Sequence, residues 1–99
     1  MANYKLTKRA VVDLANIWEY TREMSSEYQA DTYYESLIAT CQDIAESPSS
    51  NRSYEVIIPG LLGMKSDQHI IFFRNVDDGY VEITRILHEK MDLRNRIVG

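Results

Sequence analysis

With one cysteine in 99 residues, Cys41, the chain forms no internal disulfide and holds no zinc site built on cysteine pairs. No apolar run approaches the ~20 residues needed to cross a bilayer. The start, Met1-Ala2-Asn3-Tyr4-Lys5, lacks the apolar segment of a secretory signal, so the expected address is the cytoplasm and no membrane partner. The four glycines are scattered in turns, not grouped in a phosphate loop. No His-x-x-x-His and no acidic cluster shows metal-ligand spacing. No metal and no cofactor are expected. Basic charge is also short: 11 Lys and Arg against 15 Asp and Glu leave a net charge of −4. A general nucleic-acid binder needs a basic surface, so that class is disfavoured. Lys5, Lys8 and Arg9 cluster near the start, and Arg85, Lys90, Arg94 and Arg96 near the end. A fold joining the two ends would give one basic face on an acidic body; a solvated charged surface is the plainer reading.

What is present fits one domain over residues 1–99. A chain this short buries roughly 60–65% of the surface its unfolded form exposes, so its core is thin and a partner would help stabilise it. Tyr4 to Leu6 reads as a short opening strand, and Thr7 as a helix N-cap. From Lys8 to Met24 the positions Val11, Leu14, Ile17, Trp18, Thr21 and Met24 recur at helical spacing, which predicts one amphipathic helix. Ser25-Ser26 breaks it. A second helix is expected from about Glu27 to Glu46, with Ala30, Tyr33, Tyr34, Leu37, Cys41, Ile44 and Ala45 on one side. Ser47-Pro48 stops it. So short a connection predicts an antiparallel helical hairpin.

Residues 48–53 read as a polar loop, and Tyr54 to Ile58 as either a helical turn or an extended piece. Pro59-Gly60 then turns the chain into a meander of strands at about Leu61–Lys65, His69–Asn75 and Tyr80–Leu87, with Asp78-Gly79 as a hairpin signal. Glu89 to Arg96 is expected to form a short helical tail. The class is α+β. In the middle strand Ile70 and Phe72 share one face while Ile71 and Phe73 share the other. A strand apolar on both faces is covered on both. The hairpin covers one; the other needs the C-terminal segment, a dimer mate or a foreign chain, or a twist that lets loops and tail reach it.

Chemistry points first to His88, which titrates near neutrality at the end of a strand. Arg74 and Arg85 could stabilise a phosphate in a transition state and, with His88, complete the set of a metal-free ribonuclease; Lys65 is the alternative to Arg74. In the last strand Val81, Ile83, Arg85 and Leu87 alternate with Glu82, Thr84, Ile86 and His88, so Arg85 and His88 converge only if a bulge intervenes. Arg85 falls in phase with the helix-facing residues, which predicts a structural ion pair with Asp13 or Glu19. Cys41 reads as core filler.

The order Tyr4-Lys5-Leu6-Thr7, Asp13-Leu14-x-x-Ile17-Trp18-x-Tyr20, Pro59-Gly60-Leu61, His69-Ile70-Ile71-Phe72-Phe73-Arg74 and Arg85-Ile86-Leu87-His88-x-x-Met91-Asp92 resembles the ParE branch of the ParE/RelE toxins of bacterial toxin–antitoxin pairs. The resemblance implies an N-terminal strand, an antiparallel two-helix hairpin, a three-stranded antiparallel meander and a short C-terminal helical tail. It also implies a toxin that blocks DNA gyrase by binding, not by catalysis, and a hetero-oligomer with a ParD-like antitoxin, without sequence-specific nucleic-acid binding. RelE relatives instead cut messenger RNA on the ribosome; a degenerate, non-toxic antitoxin-binding module is the other alternative. Two departures stand out: His69 where RelE-type nucleases place an arginine, and Leu62 where many ParE proteins have one. The expected target-binding residues are His88, Lys90, Met91, Asp92 and Arg94. The expected antitoxin anchors are Trp18, Tyr20, Tyr33, Tyr34 and Phe73. Deleting the residues after Leu87 is expected to abolish growth arrest while leaving the fold measurable by circular dichroism.

Overall fold

The computed structural model describes residues 3–47, 52–77 and 80–98. Its elements run β1 (Asn3–Leu6), α1 (Lys8–Met24), α2 (Glu27–Glu46), β2 (Arg52–Ser53), β3 (Leu62–Ser66), β4 (His69–Asp77), β5 (Tyr80–His88) and α3 (Leu93–Val98). Five strands form one sheet in the order β1-β5-β4-β3-β2, antiparallel except for the β1–β5 pair. This is the α+β arrangement expected from the sequence, with the opening strand placed beside the closing one.

Both long helices start and stop where side-chain chemistry dictates. Thr7 caps α1 by accepting from the Ala10 amide at 3.1 Å, and Ser26 caps α2 by accepting from the Gln29 amide at 3.1 Å. Pro59-Gly60 makes the turn read from the sequence: Gly60 has φ +81° and the Leu61 amide reaches the Ile58 carbonyl at 3.1 Å. Pro48 and the Asp78-Gly79 turn lie outside the described residues, but Asp77 and Tyr80 pair on either side of the latter. Arg52-Ser53, expected in a loop, instead pairs with Leu62 and Gly63 as a two-residue edge strand.

The buried stripe of α1 begins a residue earlier than its spacing suggests. Ala10, Asp13 and Leu14 are buried, whereas Val11 is 50% exposed and Met24 69% exposed. On α2 the expected Ala30, Leu37, Cys41, Ile44 and Ala45 are all buried. Burial pushes the Cys41 thiol up to about 12, which suits a space-filling role and not a nucleophile.

Two apolar clusters sandwich the sheet. Ile71, Phe73, Val81, Ile83 and Ile86 pack under the helical hairpin with Leu14, Leu37 and Ile44. Ile70, Phe72 and Leu87 face the other way and meet Leu61 and Ile97, with Tyr54, Ile57 and Leu93 around them. The chain's own α3 and its 54–61 segment therefore cover the second face. The doubly apolar β4 does not call for a second chain. Truncation after Leu87 would strip Leu93 and Ile97 from the cluster around Phe72.

The register of β4 on β5 slips between Phe72 and Phe73: Phe73 faces Ile83, but Phe72 faces Arg85. Thr84 is the extra residue of this bulge, and it inverts the alternation of β5 beyond it. Ile86 thereby joins the hairpin side and Leu87 the opposite side, the reverse of the strict period-two assignment.

Candidate functional site

Between the helical hairpin and the β3–β4 and β5–α3 connections lies an open groove of about 1320 Å³. Its lining includes Tyr20 and Tyr33 from the hairpin, Lys65 and His69 from β3 and β4, and Arg85, His88, Lys90 and Met91 from the end of the chain. Among the described residues, no three His, Cys, Asp or Glu side chains are grouped to hold a metal ion. No helix among them is long and apolar enough to cross a membrane.

The bulge at Thr84 offsets the register shift between Asn75 and Asp77, so the far ends of β4 and β5 are back in step. Beyond it, His88 stands directly opposite His69, and the two rings meet edge to face with centroids 5.3 Å apart. His69 Nδ1 and the Tyr33 hydroxyl share a hydrogen bond of 2.6 Å. His88 Nδ1 accepts the Lys90 amide at 3.1 Å, so a neutral His88 carries its proton on Nε2. Burial, then the neighbouring His88, holds His69 below the ordinary imidazole range. Lys65 pairs with Glu89 at 2.9 Å and keeps that carboxyl below its usual range.

Arg85 forms the predicted ion pair with Asp13, two-pronged at 2.7 and 2.9 Å. Asp13 also accepts the Ile86 amide at 2.9 Å, which anchors α1 to the strand just past the bulge. Side-chain exposures of 12% and 10% make this a largely buried pair. Glu19, the other candidate, pairs within α1 with Arg22.

The structure sorts the remaining expectations. Of the nuclease-like set, Lys65 and His88 share the groove but Arg74 does not. It is held by Glu82 at 2.8 Å five residues up β4, about 16 Å along the strand at strand rise, which removes it from that set. Of the target-binding candidates, His88, Lys90 and Met91 line the groove. Asp92 instead opens α3, where its carboxylate bonds the Asn95 side chain at 2.8 Å, and Arg94 donates to the Val56 carbonyl at 2.8 Å. Of the antitoxin anchors, Tyr20 and Tyr33 line the groove and Tyr34 is 39% exposed. Trp18 ties α1 to α2 through Asp31 at 2.9 Å. Phe73 is 0% exposed beneath the hairpin and offers no surface to a partner, which corrects its assignment as an anchor.

His69 was missed as a site residue and noted only as a departure from the nuclease pattern. A signal existed: strands counted back from a two-residue turn after Asp77 put His69 opposite His88.

A helical hairpin on one face of a small mixed sheet, with an open groove bordered by the chain's end, defines a compact α+β domain. The family described as "ParE toxin of type II toxin-antitoxin system, parDE" matches residues 4–93, and the chain belongs to it. Toxin ParE1 of Caulobacter vibrioides is 36% identical over 94 residues, spanning 95% of this chain and 96% of that protein. Toxin ParE1 of Mycobacterium tuberculosis is 28% identical over 92 residues, spanning 93% and 94%. A solved structure titled "Chromosomal ParDE TA system from P. aeruginosa" shares the fold with a TM-score of 0.76 at 18% identity, covering 89% of this chain and 96% of that one.

Proposed function

We propose that this chain is the toxin of a type II pair, that it arrests DNA gyrase by binding, in the cytoplasm, and that a ParD-like antitoxin neutralises it. One observation carries the mechanism: candidate target contacts and candidate antitoxin anchors line the same groove. His88, Lys90 and Met91 stand across from Tyr20 and Tyr33. An amphipathic antitoxin segment seated on the tyrosines would cover the end of the chain, so neutralisation works by masking. Toxicity and antitoxin binding then compete for one surface.

The test is expression of the chain without its partner, followed by a supercoiling assay with purified gyrase. Growth arrest with inhibited supercoiling is expected. Lys90 is exposed and Met91 39% exposed, so Lys90→Glu with Met91→Ala should relieve the arrest without unfolding the chain. Arrest of unchanged strength would reject this surface.

The meeting of Lys65, His69 and His88 in one groove also suits a second reading, a RelE-like ribosome-dependent endonuclease. Primer extension on cellular transcripts after induction separates the two: discrete cuts favour cleavage, whereas intact messages with an SOS response favour gyrase. A chain harmless when expressed alone would point to a non-toxic antitoxin-binding module.

A further inference from the structure

The net charge of −4 hides a strongly polar distribution. Between Glu19 and Glu46 stand seven carboxylates and a single base, Arg22. The first twelve residues hold Lys5, Lys8 and Arg9 and no acid. The fold carries that basic start to the basic end: Arg9 donates to the carbonyls of Arg96 at 2.8 Å and Ile97 at 3.3 Å.

This meeting is electrostatically unbalanced. Arg85 also donates to the Arg96 carbonyl, at 2.5 Å. Two guanidinium nitrogens therefore converge on one oxygen, no farther apart than those two bonds laid end to end. Asp13 neutralises only Arg85. Among the described residues, neither Arg9 nor Arg96 has a carboxylate partner. Lys8 and Arg9 further occupy the first turn of α1, which contains no acidic residue, although the helix dipole there disfavours cations. Arg9, Arg74 and Arg85 rim a shallow apolar pocket of about 300 Å³ on this same side. Like charges packed together at a cost to the free protein are what an external anion repays.

We propose that Lys8, Arg9 and Arg96 form a contact surface for the phosphate backbone of duplex DNA. The proposal rests on the gyrase reading above, because that target presents the toxin with DNA already bound. It adds a second point of attachment that adjoins the groove at Arg85 and Arg96: the groove engages protein, and the arginine cluster on its rim engages the phosphates beside it. The contact is to backbone and carries no sequence preference. Duplex DNA is favoured over an acidic protein surface because long, exposed cationic side chains without a shared carboxylate suit a dense row of phosphates.

The test is fluorescence anisotropy of the full-length chain with a fluorescein-labelled duplex, across a sodium chloride series. The wild type should bind weakly with affinity falling steeply in salt. Lys8→Glu with Arg96→Glu alters exposed side chains that have no ion-pair partner among the described residues. This variant should bind roughly tenfold more weakly, and its salt slope should flatten by about two units. Arg22→Glu, on the acidic hairpin, should leave the slope unchanged. No DNA binding by the wild type at low salt, or equal binding by the double variant, would overturn the proposal. Loss of DNA-free gyrase binding by the double variant, with no DNA affinity in either protein, would also overturn it and assign the surface to an acidic protein face. DNA binding that follows the expected charge dependence, by a wild type that leaves supercoiling untouched, would uphold the phosphate surface and reject gyrase as the target.

Discussion

The Thr7 hydroxyl donates to the Thr84 carbonyl at 2.8 Å while accepting the Ala10 amide at 3.1 Å. The residue that starts α1 therefore also grips the bulge that re-aims the end of β5. One side chain couples the first helix to the geometry of the groove. Thr7→Val removes both bonds and should cost about 2 kcal/mol, about half from the lost cap and half from the orphaned carbonyl. Thr7→Ser should recover most of it. Urea unfolding measures both; equal loss in the two variants would show that the hydroxyl is not what matters.

Asp13 satisfies both Arg85 and the Ile86 amide inside the fold. Asp13→Ala strands a cation and a backbone donor, which should cost about 3–5 kcal/mol. Asp13→Leu with Arg85→Met removes both charges and should be much less destabilising than the single change. A double-mutant cycle by chemical denaturation checks this, and additive losses would count against a buried pair.

Acid should destabilise the toxin through His69. Its folded-state pKa lies below the ordinary value of 6.5, chiefly from burial, so between the two values the unfolded chain binds more protons. Stability is thus fully present above about pH 6.5, the unfolded-state value, and declines as pH falls from there toward the folded pKa. His69→Gln should flatten that decline. Thermal melts at stepped pH values report it; an identical profile in the variant would place the sensitivity elsewhere.

The cover on the second sheet face can be probed at Gly63. A Cβ there would meet the Tyr54 ring at 2.6 Å and the Ile70 side chain at 3.2 Å. Tyr54 is not free to yield, because its ring packs edge-on against Phe72 at 5.0 Å. Gly63→Ala should cost about 1–3 kcal/mol by overpacking. Ile97→Ala should cost about 2–4 kcal/mol by opening a cavity over Phe72. Urea midpoints near the wild type for both would mean the tail is only loosely held.

The sequence announced both helices to the residue, because Thr7, Ser26 and the Ser47 stop are local signals that no tertiary contact overrides. The Asp13–Arg85 pair was also legible, although by a phase argument that the bulge invalidates. Nothing local marks Thr84 as a bulge. It follows from the fit of Thr7 onto the strand, a contact across 77 positions. Period-two counting therefore put His88 on the side away from the hairpin, although pairs counted back from the turn already set it opposite His69. The two-residue β2 escaped because so short an edge carries no alternation to read. The cover supplied by Leu93 and Ile97 was left open between several candidates, since two apolar residues in a charged tail say little about where the tail lands.

Because Asn3–Leu6 pairs in parallel with Tyr80–Ile83, the first strand made on the ribosome has no neighbour until nearly the whole chain has emerged. Contacts that distant in sequence form slowly, since a long loop must close before they repay it. The β1–β5 pairing is consequently completed late, after most of the chain is made, and on the proposed function an antitoxin already present would have that interval in which to capture the newborn chain.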